Sequence, residues 1–128
     1  LSPADAVSHL LAAPYVPGGR SWAGADCWGV VELWYRHVLG IELTDRSSRP
    51  PGPDSVQGWA DEGQGWQPIT APEDHCLLLM RSGRLKAGHV GIVYQGRVLH
   101  SAKSHGCVHQ PLSDRLIRAS TTGYLRKL

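Results

Sequence analysis

Half-way along the chain the spacing of apolar residues changes from a helical period to a period of two, and few folds accommodate both in that order. The segment 26–39 carries the strongest helical signal. Cys27, Val30, Val31, Trp34 and Val38 recur at i, i+3, i+4 and i+7 spacing and make one apolar stripe. Asp26 stands where an N-cap belongs, and Gly40 where a helix stops. A shorter helix is predicted over 4–12, where Val7, Leu10 and Leu11 keep helical spacing. From residue 76 onward the pattern is that of strands. Residues 76–80 are a continuous apolar run and read as a buried strand. Residues 89–94 alternate, with Val90, Ile92 and Tyr94 on one face and His89, Gly91 and Val93 on the other. Gln95-Gly96 is a turn candidate. After it come strands over 97–100 and 107–110, a helical turn over 112–119 and a last strand over 124–128. Helices first and strands second is an α+β order.

The chain's 128 residues suit a single domain, 1–128, long enough for one hydrophobic core and too short for two. Thirteen Lys and Arg against eleven Asp and Glu leave a net charge of +2, too weak a bias for a dedicated nucleic-acid binder. No apolar run approaches the roughly 20 residues of a membrane span. The chain begins Leu1-Ser2-Pro3-Ala4-Asp5 with no Met and no visible secretory signal; a signal removed earlier stays open. Pro14-Tyr15-Val16-Pro17-Gly18-Gly19 is a rigid turn segment. Residues 44–68 read as a long connection, with loop over 47–53 and a short helix over 54–60, and are expected to wall a cleft.

Three cysteines, Cys27, Cys76 and Cys107, are too few and too odd for a disulfide scaffold. Cys27 falls in the first turn of the strongest helix, where free N–H groups and the helix dipole favour a thiolate and are expected to lower its pKa. Gly24 and Gly29 are expected to keep the surroundings thin for an approaching substrate. The Cys27 N–H is expected to face a developing oxyanion. An inert cysteine on an apolar stripe is the competing reading.

A cysteine nucleophile needs a base, and the chain has seven histidines. If Gln95-Gly96 is a two-residue turn, Tyr94 pairs with Arg97 and Gly91 with His100. His89 and His100 then share a face as diagonal neighbours, about 7–8 Å apart at the backbone. That supplies a base, His89, and a group to orient it, His100. No such pairing reaches His9, His37, His75, His105 or His109, which read as surface or core histidines. The spacings around Cys76 and Cys107 match no four-ligand zinc pattern.

The run Pro14-Tyr15-Val16-Pro17-Gly18-Gly19, followed by Gly24-Ala25-Asp26-Cys27-Trp28-Gly29-Val30-Val31, resembles the cysteine signature of the NlpC/p60 family of cell-wall peptidases. Gly88-His89-Val90-Gly91-Ile92-Val93 resembles the family's histidine strand, and Leu99-His100-Ser101-Ala102 the strand carrying its third polar residue. Residues 72–79 resemble the strand before the histidine. The likeness spans about residues 10–110, in order. It implies a papain-like α+β fold, with the nucleophile helix packed on a five- or six-stranded antiparallel sheet. It implies Cys27 as nucleophile, His89 as base and His100 as orienter, with no metal and no cofactor. It also implies that the Tyr15 hydroxyl reaches the site to help bind substrate or oxyanion; a packed turn aromatic is the other reading. Asp26 either caps the helix or contacts substrate. Trp28 departs from the small residue common after the nucleophile, and either narrows the substrate cleft or packs behind it.

The activity so implied is a cysteine endopeptidase acting on peptidoglycan stem peptides, at the bond from D-glutamate to a diamino acid. The D-C-W-G form resembles members from phage tails and gene-transfer particles. That implies phage tail proteins as partners, and the cell wall, periplasm or virion tail as location. Two other readings stand beside it: a structural or wall-binding tail component without turnover, and a cysteine amidase or acyltransferase on another amide.

Overall fold

In the computed structural model, which describes residues 1–43 and 65–128, Ser2 accepts the N–H of Asp5 and a proline opens the first turn. Helix α1 therefore starts at once and runs Pro3–Ala12. The turn segment leads into a two-stranded ribbon, β1 (Arg20–Ser21) and β2 (Gly24–Ala25), too short to leave a periodicity in the sequence. Asp26 then caps helix α2 (Cys27–Trp34) as predicted. The continuous helix read over 26–39 widens to a π-helical turn at Tyr35–Leu39. Tyr35 O accepts from the N–H of both Gly40 and Ile41, and Gly40, at φ 68°, ends the helix.

The second half forms one sheet: β3 (Trp66–Ile69), β4 (Leu77–Ser82), β5 (Leu85–Tyr94), β6 (Arg97–Ala102), β7 (Gly106–Pro111) and β8 (Thr121–Lys127). Helix α3 (Arg115–Ser120) precedes β8. The six strands are antiparallel, in the order β3-β8-β4-β5-β6-β7. This is the expected α+β architecture. The sequence puts 44–68 in a long connection, whereas Trp66–Ile69 is a strand; its place at the sheet edge beside β8 is where Pro68 is tolerated. The helix predicted over 54–60 and the loop over 47–53 lie outside the described residues.

The continuous apolar run in β4 is explained by burial on both sides. On one face Leu77 and Leu79 join Val90, Ile92 and Leu99 beneath Val30, Val31 and Leu33 of α2. On the other face Leu78 and Met80 join Val93 and Val98 beneath Ile117 of α3. Each such side chain contributes roughly 1.5–3 kcal/mol by leaving water. The two-residue turn is also as read. Gln95 (φ 51°) and Gly96 (φ 71°) both take positive φ, as a type I′ hairpin requires. Tyr94 pairs with Arg97, Val93 with Val98 and Ile92 with Leu99.

The glycines around Cys27 make room for the protein's own turn segment, its backbone at Gly29 and the Val16 side chain at Gly24. A Cβ on Gly29 would lie 2.2 Å from Gly19 O, and one on Gly24 would lie 2.3 Å from Val16 Cγ2. Gly29 thus lets the Gly18-Gly19 turn rest directly on α2. We expect Gly29→Ala to destabilise the fold by about 1–3 kcal/mol, as overpacking does. Urea unfolding would show it as a lower midpoint at unchanged slope.

Candidate active site

Asp26 has no exposed surface, and both its carboxylate oxygens are occupied. Oδ1 accepts from Gly29 N at 2.8 Å and pairs with Arg20 Nη1 at 2.7 Å, while Oδ2 accepts from Gly18 N at 2.7 Å. In the structure the carboxylate caps α2, and both its oxygens are engaged within the protein. Arg20 was missed in the sequence. Its Nε lies 3.1 Å from Glu32 Oε2, and Glu32 Oε1 lies 2.6 Å from Arg36 Nη2. Two buried carboxylates on one side of α2 are thus matched by two guanidinium groups.

The cap places Cys27 first in α2, where its N–H has no acceptor within the helix. The thiol is 9% exposed. Backbone N–H groups of Val90 and Trp28 and the Arg20 charge favour the thiolate, as expected of a helix start. Burial and the Asp26 carboxylate outweigh them and push the thiol up to about 11. The sequence expectation of a lowered pKa is thus reversed, first because burial takes water from the sulfur and second because the cap that opens the helix adds a negative charge near it.

His89 and His100 meet as the hairpin register requires. His89 Nε2 lies 2.9 Å from His100 Nδ1, with the rings edge to face. The ladder between β5 and β6 stops at Ile92↔Leu99, one step short of the expected Gly91–His100 pair. Gly91 is nonetheless against His100: a Cβ there would lie 3.1 Å from His100 Cβ and 2.5 Å from Val98 Cγ2. His89 pairs across β4 with Met80, so the imidazoles project from the face that α3 covers. Helix α2 packs on the opposite face. The structure brings Cys27 to the strand itself, where its sulfur meets the N–H of Val90, the residue after His89. Burial and the neighbouring His100 and His105 hold His89 down at about 4, and burial also lowers His100. The resting site is therefore a neutral thiol and neutral imidazoles. His89 and His100 border an open cleft of about 450 Å³, with Met80, Arg81, His105 and Gln110 also in its wall.

Tyr15 is half-buried, and its phenol is raised by burial and by the charges of Asp26 and Cys27. Trp28 is 4% exposed and lies in the core cluster with Cys27. His75 accepts from Trp34 Nε1 at 3.1 Å, and His9 and His37 flank the Trp22 ring. Gln110, which the sequence reading passed over, lies 2.5 Å from His100 Nε2 through its Oε1. The register of β6 and β7, which pairs His100 with Val108, was the signal that would have put it on the same face. Among the described residues no group of three His, Cys, Asp or Glu side chains is placed to hold a metal, and no helix is long and apolar enough to cross a membrane.

Residues 12–126 match the NlpC/P60 family. Solved structures share the fold. One is the NlpC/p60 domain of the peptidoglycan hydrolase SagA, 21% identical, with a TM-score of 0.59 over 98% of this chain and 94% of that one. A lipoprotein-like protein of the NLP/P60 family from Staphylococcus aureus is 23% identical, with a TM-score of 0.64 over 96% of this chain and 40% of that one. An NlpC/P60 family protein from Bacillus cereus is 21% identical, with a TM-score of 0.63 over 90% of this chain and 35% of that one. The chain thus spans less than half the length of the latter two. No curated protein matches it in sequence.

The perturbed groups make stability depend on pH in two windows. An unfolded histidine takes a proton near 6.5, whereas His89 resists until about 4. Between those values the unfolded state binds more protons, so stability present above 6.5 is lost as pH falls. For Cys27 the unfolded thiol ionises near 9 and the folded one near 11, so stability is lost as pH rises across that interval. Thermal melts should give a plateau between the two windows, and His89→Asn should flatten the acid slope.

Proposed function

Because the chain belongs to the NlpC/P60 family, we propose that it is a cysteine endopeptidase that hydrolyses peptidoglycan stem peptides. The supporting observations are that Cys27 heads a capped helix with its sulfur against the N–H of Val90, the residue after His89, and that His89 is held by His100. The peptidoglycan substrate is suggested by the activity named for the SagA domain.

With thiol and imidazole both neutral, His89 acts as a general base, taking the Cys27 proton as sulfur attacks the scissile carbonyl. The S–C bond forms as the carbonyl electrons move to oxygen. The Cys27 N–H and the Tyr15 hydroxyl are the donors proposed for that oxyanion. Collapse breaks the C–N bond, and His89 returns the proton to the leaving amine. Water, deprotonated by His89, then releases the acyl group and restores the thiol. The bond proposed is D-glutamyl to diaminopimelate or lysine. Action in a phage tail or gene-transfer particle, with tail proteins as partners and the cell wall or periplasm as target, is proposed on the likeness of the Asp26-Cys27-Trp28-Gly29 run.

A wall-binding module without turnover is the second reading, favoured by the burial of Cys27 and its raised thiol. Mass spectrometry of stem peptides incubated with native protein and with Cys27→Ala separates the two. We expect fragments from the native protein alone, their masses identifying the bond. The acid limb of kcat/KM should fall near pH 4, where His89 takes up its proton. Intact peptides from both proteins, with retention on cell-wall sacculi, would establish the binding module instead.

A further inference from the structure

A neutral imidazole carries one N–H and one bare nitrogen, and only the bare nitrogen can act as a base. For His89 the question is which nitrogen is bare. Its Nε2 is engaged by His100 Nδ1 at 2.9 Å, so Nδ1 is the atom left to take a proton. His89 is a base at Nδ1 only if Nε2 holds the hydrogen and donates it to His100. That in turn needs His100 Nδ1 to be bare and His100 Nε2 to carry its own hydrogen.

Gln110 settles this second condition. Its Oε1 lies 2.5 Å from His100 Nε2, and an amide oxygen can only accept. His100 therefore donates from Nε2 to Gln110, presents a bare Nδ1 to His89, and accepts the His89 Nε2–H. We infer that Gln110 is a positioning residue that sets the tautomer of His100 and, through it, leaves His89 Nδ1 free as the base. The inference rests on the proposed role of His89.

Two features make the relay obligatory. His100 is 6% exposed, and burial lowers its pKa, so it stays a neutral ring with one donor and one acceptor. The register also holds the three side chains in line. Gln110 pairs with Val98 and His100 with Val108, which makes Gln110 and His100 diagonal neighbours on one face. The opposite amide orientation would reverse every bond. An NH₂ donor on His100 Nε2 would put the hydrogen on His100 Nδ1, then on His89 Nδ1, and no base would remain. Protonation of His89 at Nδ1 during attack leaves its Nε2–H bond to His100 in place, so the relay holds through the reaction.

The test reads the tautomer and the rate separately, on the full chain. Long-range ¹H–¹⁵N spectra at neutral pH report which His89 nitrogen carries hydrogen, whether or not any peptide is cut. In native protein and in Gln110→Glu, which keeps an acceptor, we expect Nε2 protonated and Nδ1 bare. In Gln110→Leu, close in volume but unable to accept, we expect His89 to populate the Nδ1–H form. With stem peptide, Gln110→Leu should lose about 100-fold in kcat with KM little changed, and Gln110→Glu should restore most of it. A native His89 protonated on Nδ1 would overturn the inference. So would a Gln110→Leu protein whose His89 tautomer and kcat match native. If the tautomer follows Gln110 while no variant cuts peptide, the relay stands and the peptidase reading fails.

Discussion

One carboxylate, that of Asp26, organises the end of α2 that carries Cys27. It accepts the N–H of Gly29 and so starts α2 at Cys27, accepts the N–H of Gly18 and so holds the preceding turn, and pairs with Arg20. A buried carboxylate is costly unless its lone pairs are matched, and here each oxygen has a partner. The turn it holds carries Tyr15 a few residues upstream, and the Asp26 charge also raises that phenol. The absence of a side chain on Gly29 is part of this arrangement, since the Gly19 carbonyl occupies that space.

The cost of this arrangement appears in the electrostatics of the thiol. The backbone donors around the sulfur favour a thiolate, but the sulfur is buried and Asp26 stands beside it, so the proton stays on. Burial acts the other way on His89 and keeps it unprotonated. In the proposed reaction a thiol held high and an imidazole held low exchange no proton until an electrophile arrives. The ion pair of that reaction therefore forms with the attack.

The sheet contributes register. A type I′ turn brings β5 and β6 into alignment, Gly91 allows His100 to sit close over β5, and the pairing of β6 with β7 carries Gln110 to the same face. Membership of the NlpC/P60 family agrees with this geometry.

Local chemistry was legible in the amino-acid order. The Asp26 cap, the Gly40 stop, the Gln95-Gly96 turn and the alternation in β5 each depend on neighbours a few residues away. Alternation plus turn length was enough to bring His89 and His100 together, because a two-residue hairpin leaves no freedom of register. What depended on distant segments was not legible. Strand β3 is a strand only because β8, at the far end of the chain, pairs with it. Trp28 lies in the core because α2 turns that side to the sheet, and Arg20 finds Glu32 across a ribbon that left no periodicity. The thiol's charge state was misread for the same reason. Helix position is a local property, but burial and the Asp26 charge act through space, and only the tertiary structure sets how much water the sulfur loses.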